Sequence, residues 1–101
     1  MPELTPTKFF LKDIEAFVSN RTVQGKILKA LAFLQENPFH PGLHLERIIN
    51  DPTAWSVRVD RRYRISIDPK AHQSSGAPDW NEGIILLRIL DHDDLYKKPG
   101  F

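Results

Sequence analysis

The stretch from Trp55 to Ile67 reads W-S-V-R-V-D-R-R-Y-R-I-S-I. Trp55, Val57 and Val59 alternate with Ser56 and Arg58, and Tyr63, Ile65 and Ile67 alternate with Arg62, Arg64 and Ser66. A period of two marks a strand with one face buried. A turn near Asp60 and Arg61 folds the two runs into a hairpin, apolar on one side and lined with arginine on the other.

Upstream of Trp55 the period is helical. Phe10, Ile14 and Phe17 recur at spacings of four and three within residues 7–18, the apolar side of a short helix. Thr5 or Thr7 is placed to cap it, with Pro6 near the first turn. Asn20 or Thr22 caps a second helix, whose expected buried stripe is Val23, Ile27, Leu28, Leu31 and Leu34. That helix stops before Pro38, because proline disfavours a helical residue ahead of it. Two adjacent helices with a short link predict an antiparallel hairpin. Residues 38–53 carry Pro38, Pro41, Gly42 and Pro52 and are expected to form a connection without regular structure.

Downstream, residues 69–81 hold two prolines, a glycine and a serine pair and predict a long exposed loop. Ile84 to Leu90 predicts a third, more fully buried strand. The expected fold class is α+β: an N-terminal antiparallel helix hairpin packed on one face of a small antiparallel β-sheet.

At 101 residues the chain has room for one domain, residues 1–101. The absence of cysteine excludes disulfides and thiolate metal sites and suits a reducing cytoplasm. The opening MPELTPTKFF has no basic start followed by an apolar run, so no signal peptide is expected. No apolar run approaches the length that spans a bilayer, so neither a membrane partner nor a membrane location is expected. Net charge is +1, from 14 Lys and Arg against 13 Asp and Glu. That excludes a protein that coats nucleic acid non-specifically, and any nucleic-acid site must be local. The segment from Arg58 to Arg64 has four arginines opposed by Asp60 alone.

With helices on the apolar face of the hairpin, Arg58, Arg62 and Arg64 emerge together on the other. Like charges across a hairpin repel, which an anionic ligand offsets. Solvation, or pairing with Asp60 and Asp68, would offset it equally well. The tail Asp91-His92-Asp93-Asp94-Leu95-Tyr96-Lys97-Lys98 is the second candidate region. His92 can move protons near neutral pH, Tyr96 can stack on a base, and Lys97 and Lys98 can hold phosphate. His92 as a plain surface histidine and Tyr96 as a packing residue remain open readings. One histidine among adjacent acids is too little for a metal site, and no cofactor is expected.

The elements from Pro41 to Tyr96 resemble the RelE/ParE superfamily of toxins from type II toxin–antitoxin systems. The resemblance rests on Pro41-Gly42-Leu43, Leu45-Glu46, W-S-V-R-V at Trp55–Val59, Y-R-I at Tyr63–Ile65, and His92-Asp93-Asp94-Leu95-Tyr96, in that order. It implies a RelE-like fold and a cognate antitoxin as partner. Nuclease members of the superfamily cut messenger RNA on the ribosome without metal. By position, Arg64 then matches the arginine at the transition state, Arg58 a basic residue on the preceding strand, His92 a proton-transfer histidine, and Tyr96 an aromatic that engages the base. Arg62, Lys97 and Lys98 would add phosphate contacts. The expected function is therefore a toxin acting as a ribosome-dependent mRNA endoribonuclease. Two alternatives stand beside it: a ParE-like inhibitor of DNA gyrase, and a catalytically silent interaction domain of the same fold.

Overall fold

Thr7 starts the first helix, α1 (Lys8–Glu15), its hydroxyl accepting the Phe10 N–H at 3.1 Å. Asn20 starts α2 (Arg21–Glu36) in the same way, accepting the Val23 N–H at 3.2 Å. α2 ends at Asn37, immediately before Pro38. This computed structural model describes residues 2–48 and 51–91, with the backbone alone at 51–53. Five strands follow the chain: β1 (Leu4–Pro6), β2 (Glu46–Ile48), β3 (Asp51–Arg58), β4 (Tyr63–Pro69) and β5 (Ile84–Asp91). Short 3-10 turns lie at Pro41–Leu43 and Trp80–Glu82.

The strands form one sheet in the order β1-β5-β4-β3-β2. The predicted hairpin is present, with Trp55 opposite Ile67, Val57 opposite Ile65 and Arg58 opposite Arg64. Val57, Ile65 and Ile67 are fully buried and pack with Phe10, Ile27 and Leu34 of the helices in one core. α1 lies along β5 and β1, and α2 against the 41–43 turn.

Four expectations are corrected. The sheet is mixed rather than antiparallel, because β1 pairs parallel to β5 through Leu4–Ile84, Thr5–Ile85 and Pro6–Leu86. A strand flanked by Pro2 and ended by Pro6 is admissible there because it is the edge strand, where a missing N–H faces away from the ladder. Residues 38–53 are not free of regular structure: they hold the 41–43 turn, β2 and the first residues of β3. Pro52 sits inside β3, beyond the 54–58 core of the hairpin, next to an irregularity in the β2–β3 pairing between Arg47 and Ile48. Leu28 is exposed at 60 %, and Ala30 takes its place in the buried stripe with Val23, Ile27 and Leu34. Lastly, the loop before β5 is not wholly exposed, because Trp80 is buried and meets Trp55 edge-on at 5.6 Å.

β5 explains its own uniform sequence. A register shift against Ser66–Ile67 leaves Leu87 unmatched between Leu86 and Arg88. The extra residue switches the alternation, so Ile84 and Leu86 on one side of the bulge and Ile89 on the other all face the core. Beyond Leu86, α1 takes over where β1 stops. Asp13 accepts from Arg88 Nε at 2.7 Å, from Arg88 Nη2 at 3.1 Å and from the Ile89 N–H at 2.9 Å. The hydrogen bond to Asp13 raises the Arg88 pKa above its ordinary value, burial opposes it, and the charge of Asp13 adds to the rise. One carboxylate thus clamps α1 to an otherwise open strand edge.

Asp13→Ala should therefore lower stability by about 2 kcal/mol, since it strands a half-buried guanidinium and a backbone N–H together. Asp13→Asn, which can still accept one of these bonds, should lose less. Urea denaturation midpoints of the three proteins check both expectations.

Candidate functional site

Arg64 is the best-anchored side chain on the face of the sheet opposite the helices. It is only 5 % exposed. Its Nε donates to Ser56 Oγ at 2.9 Å, and its Nη2 donates to the His44 carbonyl at 2.6 Å and the Ser56 carbonyl at 3.2 Å. Glu46 Oε1 lies 3.6 Å from Nη2. Buried guanidinium donors need such partners, and Arg supplies them in a fixed planar fork. The sequence permits the arrangement because position 56 is a serine: its small, polar side chain lets Arg64 lie across β3. His44 closes the 41–43 turn in the left-handed conformation (φ 46°), which histidine tolerates better than most side chains, and its carbonyl meets the guanidinium. Ile48, Ala54 and Leu90 form a small apolar cluster on this same part of the sheet, with Leu90 opposite Arg64 in register.

A groove of 430 Å³ lies beside Arg64, lined also by His44, Glu46, Arg58, Asp60 and Arg61. Arg58 is half-buried and, among the described residues, has no ion-pair partner. Asp60 is committed elsewhere. One of its oxygens accepts the Arg62 and Tyr63 N–H groups at 2.8 Å each, which shapes the hairpin turn, and the other lies 3.7 Å from Lys26 Nζ. The groove therefore presents Arg58 and Arg61 as available cations, Arg64 as a cation held from behind, and Glu46 as a half-exposed carboxylate beside it.

Arg62 does not join them. It sits in the turn, is not part of the groove lining, and its Nε donates to Asp91 at 3.0 Å while its guanidinium lies over the Tyr63 ring. The hydrogen bond to Asp91 and the neighbouring charges raise its pKa. Residues at turns escape strict alternation, and Asp91 captures this one. Arg61, which carries no periodic signal, takes the expected place of Arg62 at the groove. His92, Tyr96, Lys97 and Lys98 lie outside the described residues. The sequence reading assigned no chemistry to His44 or Glu46, which it placed in an irregular connection, although Leu45-Glu46 is one of the elements that carry the resemblance. Among the described residues no three His, Cys, Asp or Glu side chains are grouped to hold a metal ion, and no helix is long and apolar enough to cross a membrane.

No family model and no curated sequence matches the chain. Solved structures do. A YoeB/ParE toxin from Agrobacterium tumefaciens superposes with a TM-score of 0.69 at 15 % identity, covering 89 % of this chain and 98 % of that one. The YoeB dimer from Staphylococcus aureus gives 0.67 at 16 %, covering 90 % and 97 %. The E. coli DinJ–YafQ toxin–antitoxin complex gives 0.68 at 9 %, covering 94 % and 97 %. This chain has the fold of the YoeB, ParE and YafQ toxins.

Arg64→Ala should cost about 2–4 kcal/mol of stability, because the Ser56 hydroxyl and the His44 and Ser56 carbonyls all lose their donor. Arg64→Lys should recover little of it, since one ammonium cannot reach across Ser56 in a fork. Thermal unfolding of the purified variants reads this directly.

Proposed function

We propose that this chain is the toxin of a toxin–antitoxin module and cleaves ribosome-bound messenger RNA. The observation that carries the reading is the pairing of Arg58 and Arg64 directly opposite each other at one groove, with Glu46 3.6 Å from Arg64. Like charges at opposed positions repel, and beyond the Glu46 carboxylate and the oxygens that hold Arg64 an anion in the groove offsets that cost further. A phosphodiester meets that requirement.

The chemistry assigns roles to the residues. The ribose 2′-oxygen gives up its proton, bonds to the adjacent phosphorus, and the bond from phosphorus to the 5′ oxygen breaks as that oxygen gains a proton. Glu46 is the groove carboxylate placed to accept the first proton. His92, the residue after β5 ends, is the proposed donor of the second. Arg58 and Arg64 stabilise the charge that builds on the phosphate oxygens. Tyr96 positions the base, and Lys97 and Lys98 hold flanking phosphate. Arg62, engaged with Asp91, has no direct part.

A second reading has its own support. Arg64 is so fully engaged in holding β4, β3 and the 41–45 segment together that it would be needed for folding in a gyrase inhibitor or a silent binding domain as well. The cognate antitoxin follows from the fold's relatives, one of which is a toxin–antitoxin complex. An acidic antitoxin segment is expected across Arg58 and Arg61, with the gene neighbour of this chain as its source.

The test compares purified variants on programmed ribosomes, with DNA supercoiling by gyrase as the parallel assay. Arg58→Ala should slow message cleavage by about 10²–10³-fold, the loss seen when one fixed charge donor is removed. Glu46→Gln and His92→Ala should each slow it by about 10²–10⁴-fold through proton transfer. His72→Ala, in the exposed loop, should change nothing. Wild-type-like cleavage by the Arg58, Glu46 and His92 variants would sink the nuclease reading, and inhibited supercoiling without RNA cleavage would establish the gyrase alternative.

A further inference from the structure

The groove at Arg58 does not end on the sheet's open face. β2 begins at Glu46, opposite Ser56, so among the described residues β3 beyond Ser56 has no strand on that side. A second groove of 310 Å³ opens along this edge, between α2 and the 41–43 turn, and shares Arg58 and Asp60 with the first. Its rim is cationic, from Lys26 and Lys29 one helical turn apart, and its floor is apolar, from the half-buried Phe33 and Val59 over the buried Ala30 and Leu43.

The walls are fixed. Phe33 stacks on His40 at 3.9 Å with the rings 10° from parallel, and His40 Nδ1 accepts the Gly42 N–H at 3.0 Å. A Cβ at Gly42 would come within 3.2 Å of His40 Nδ1, so the turn approaches the stack as closely as a glycine allows. The lysines are weakly committed by comparison. Lys26 is half-exposed and meets Asp60 only at 3.7 Å, and Lys29 has its ammonium 5.6 Å from the Phe33 ring, with no ion pair among the described residues. The two grooves together hold five cations, Lys26, Lys29, Arg58, Arg61 and Arg64, against the two carboxylates Glu46 and Asp60. In a chain of net charge +1 this is a local excess of positive charge among the described residues.

We infer that the second groove is a subsite for the RNA strand next to the cleaved phosphate, holding one flanking nucleotide with its phosphate at Lys26 and Lys29 and its base against Phe33 and Val59. The inference rests on the RNA-cleaving reading above and adds the path of the strand. Single-stranded RNA alternates an anion with a flat, largely apolar base. The surface repeats that alternation, from the Arg58–Arg61 cations over an apolar floor to the lysine pair. An acidic polypeptide matches the lysines, but the apolar floor between two sets of cations is matched more closely by a base between two phosphates.

The experiment measures binding of 2′-O-methyl oligonucleotides, which cannot be cleaved, by fluorescence anisotropy across a range of salt. A dinucleotide spans the first groove only, and a pentanucleotide reaches the second. The wild type should bind the longer probe more tightly, and K26Q/K29Q should lose that gain while binding the dinucleotide as before. Each phosphate contact to a single strand contributes about 0.7 to the log–log salt slope, so the double variant should be shallower by about 1.4 on the pentanucleotide. Lys8→Gln with Lys12→Gln, on α1 and away from both grooves, is the charge-matched control and should leave the slope unchanged. An unchanged slope and length gain in K26Q/K29Q would overturn the subsite and leave the cleavage reading intact. Lysine-dependent binding of poly-glutamate without lysine-dependent binding of RNA would also overturn it, assigning the groove to an acidic polypeptide. A wild type that binds neither oligonucleotide at low salt overturns it too, and the ribosome assay then judges cleavage separately.

Discussion

A buried guanidinium organises the half of this molecule that faces away from the helices. Arg64 leaves β4, crosses Ser56 of β3 and reaches the His44 carbonyl at 2.6 Å, so three separate pieces of the architecture share one planar group. An uncompensated charge at 5 % exposure would destabilise the fold, and the surrounding oxygens exist in the positions that prevent it. The left-handed turn at His44, the serine at position 56 and the short β2 each answer to that requirement. In consequence the groove beside Arg64 is built on a rigid floor, which a site for a charged transition state needs.

The cations on this surface divide by how firmly they are held. Arg64 is fixed and Arg62 is drawn off to Asp91, while Arg88 is spent on clamping α1 through Asp13. Arg58, Arg61, Lys26 and Lys29 remain at the rims of two connected grooves. A nearly neutral chain can thus present a locally positive track without the overall charge that would bind nucleic acid indiscriminately. In the function proposed above, the ribosome would supply further docking surface, so a short track of this kind would suffice.

Much of the fold was legible because periodicity reports burial directly. Trp55, Val57, Ile65 and Ile67 fall on the core side as their alternation requires, and Thr7 and Asn20 cap their helices. Features that depend on distant partners were not legible. β1 is three residues long, ends in a proline and exists because β5 offers it a parallel edge. β2 is equally short and is read from its pairing to Trp55 and Ser56, not from its own pattern. Leu28 and Ala30 differ by two positions on a helix wheel, and only the packed sheet decides which is covered. At the site, the shared face of Arg58 and Arg64 was visible in the alternation, and their direct opposition came with the register. The burial of Arg64 was not, since it follows from the 41–45 segment folding back over the sheet. Lys26 and Lys29 look like the solvated side of an amphipathic helix until the open edge of β3 is seen beneath them.

The claim on which the functional account stands is that the groove beside Arg64 performs 2′-hydroxyl attack on a message. The most direct measurement uses ribosomes programmed with two messages, one all-ribose and one with a single 2′-deoxy nucleotide at the cut position mapped on the first. The account predicts cleavage of the ribose message with a 5′-hydroxyl on the downstream fragment, and no cleavage at the deoxy position. Equal cleavage of both messages, or no cleavage of either by folded protein, would contradict it.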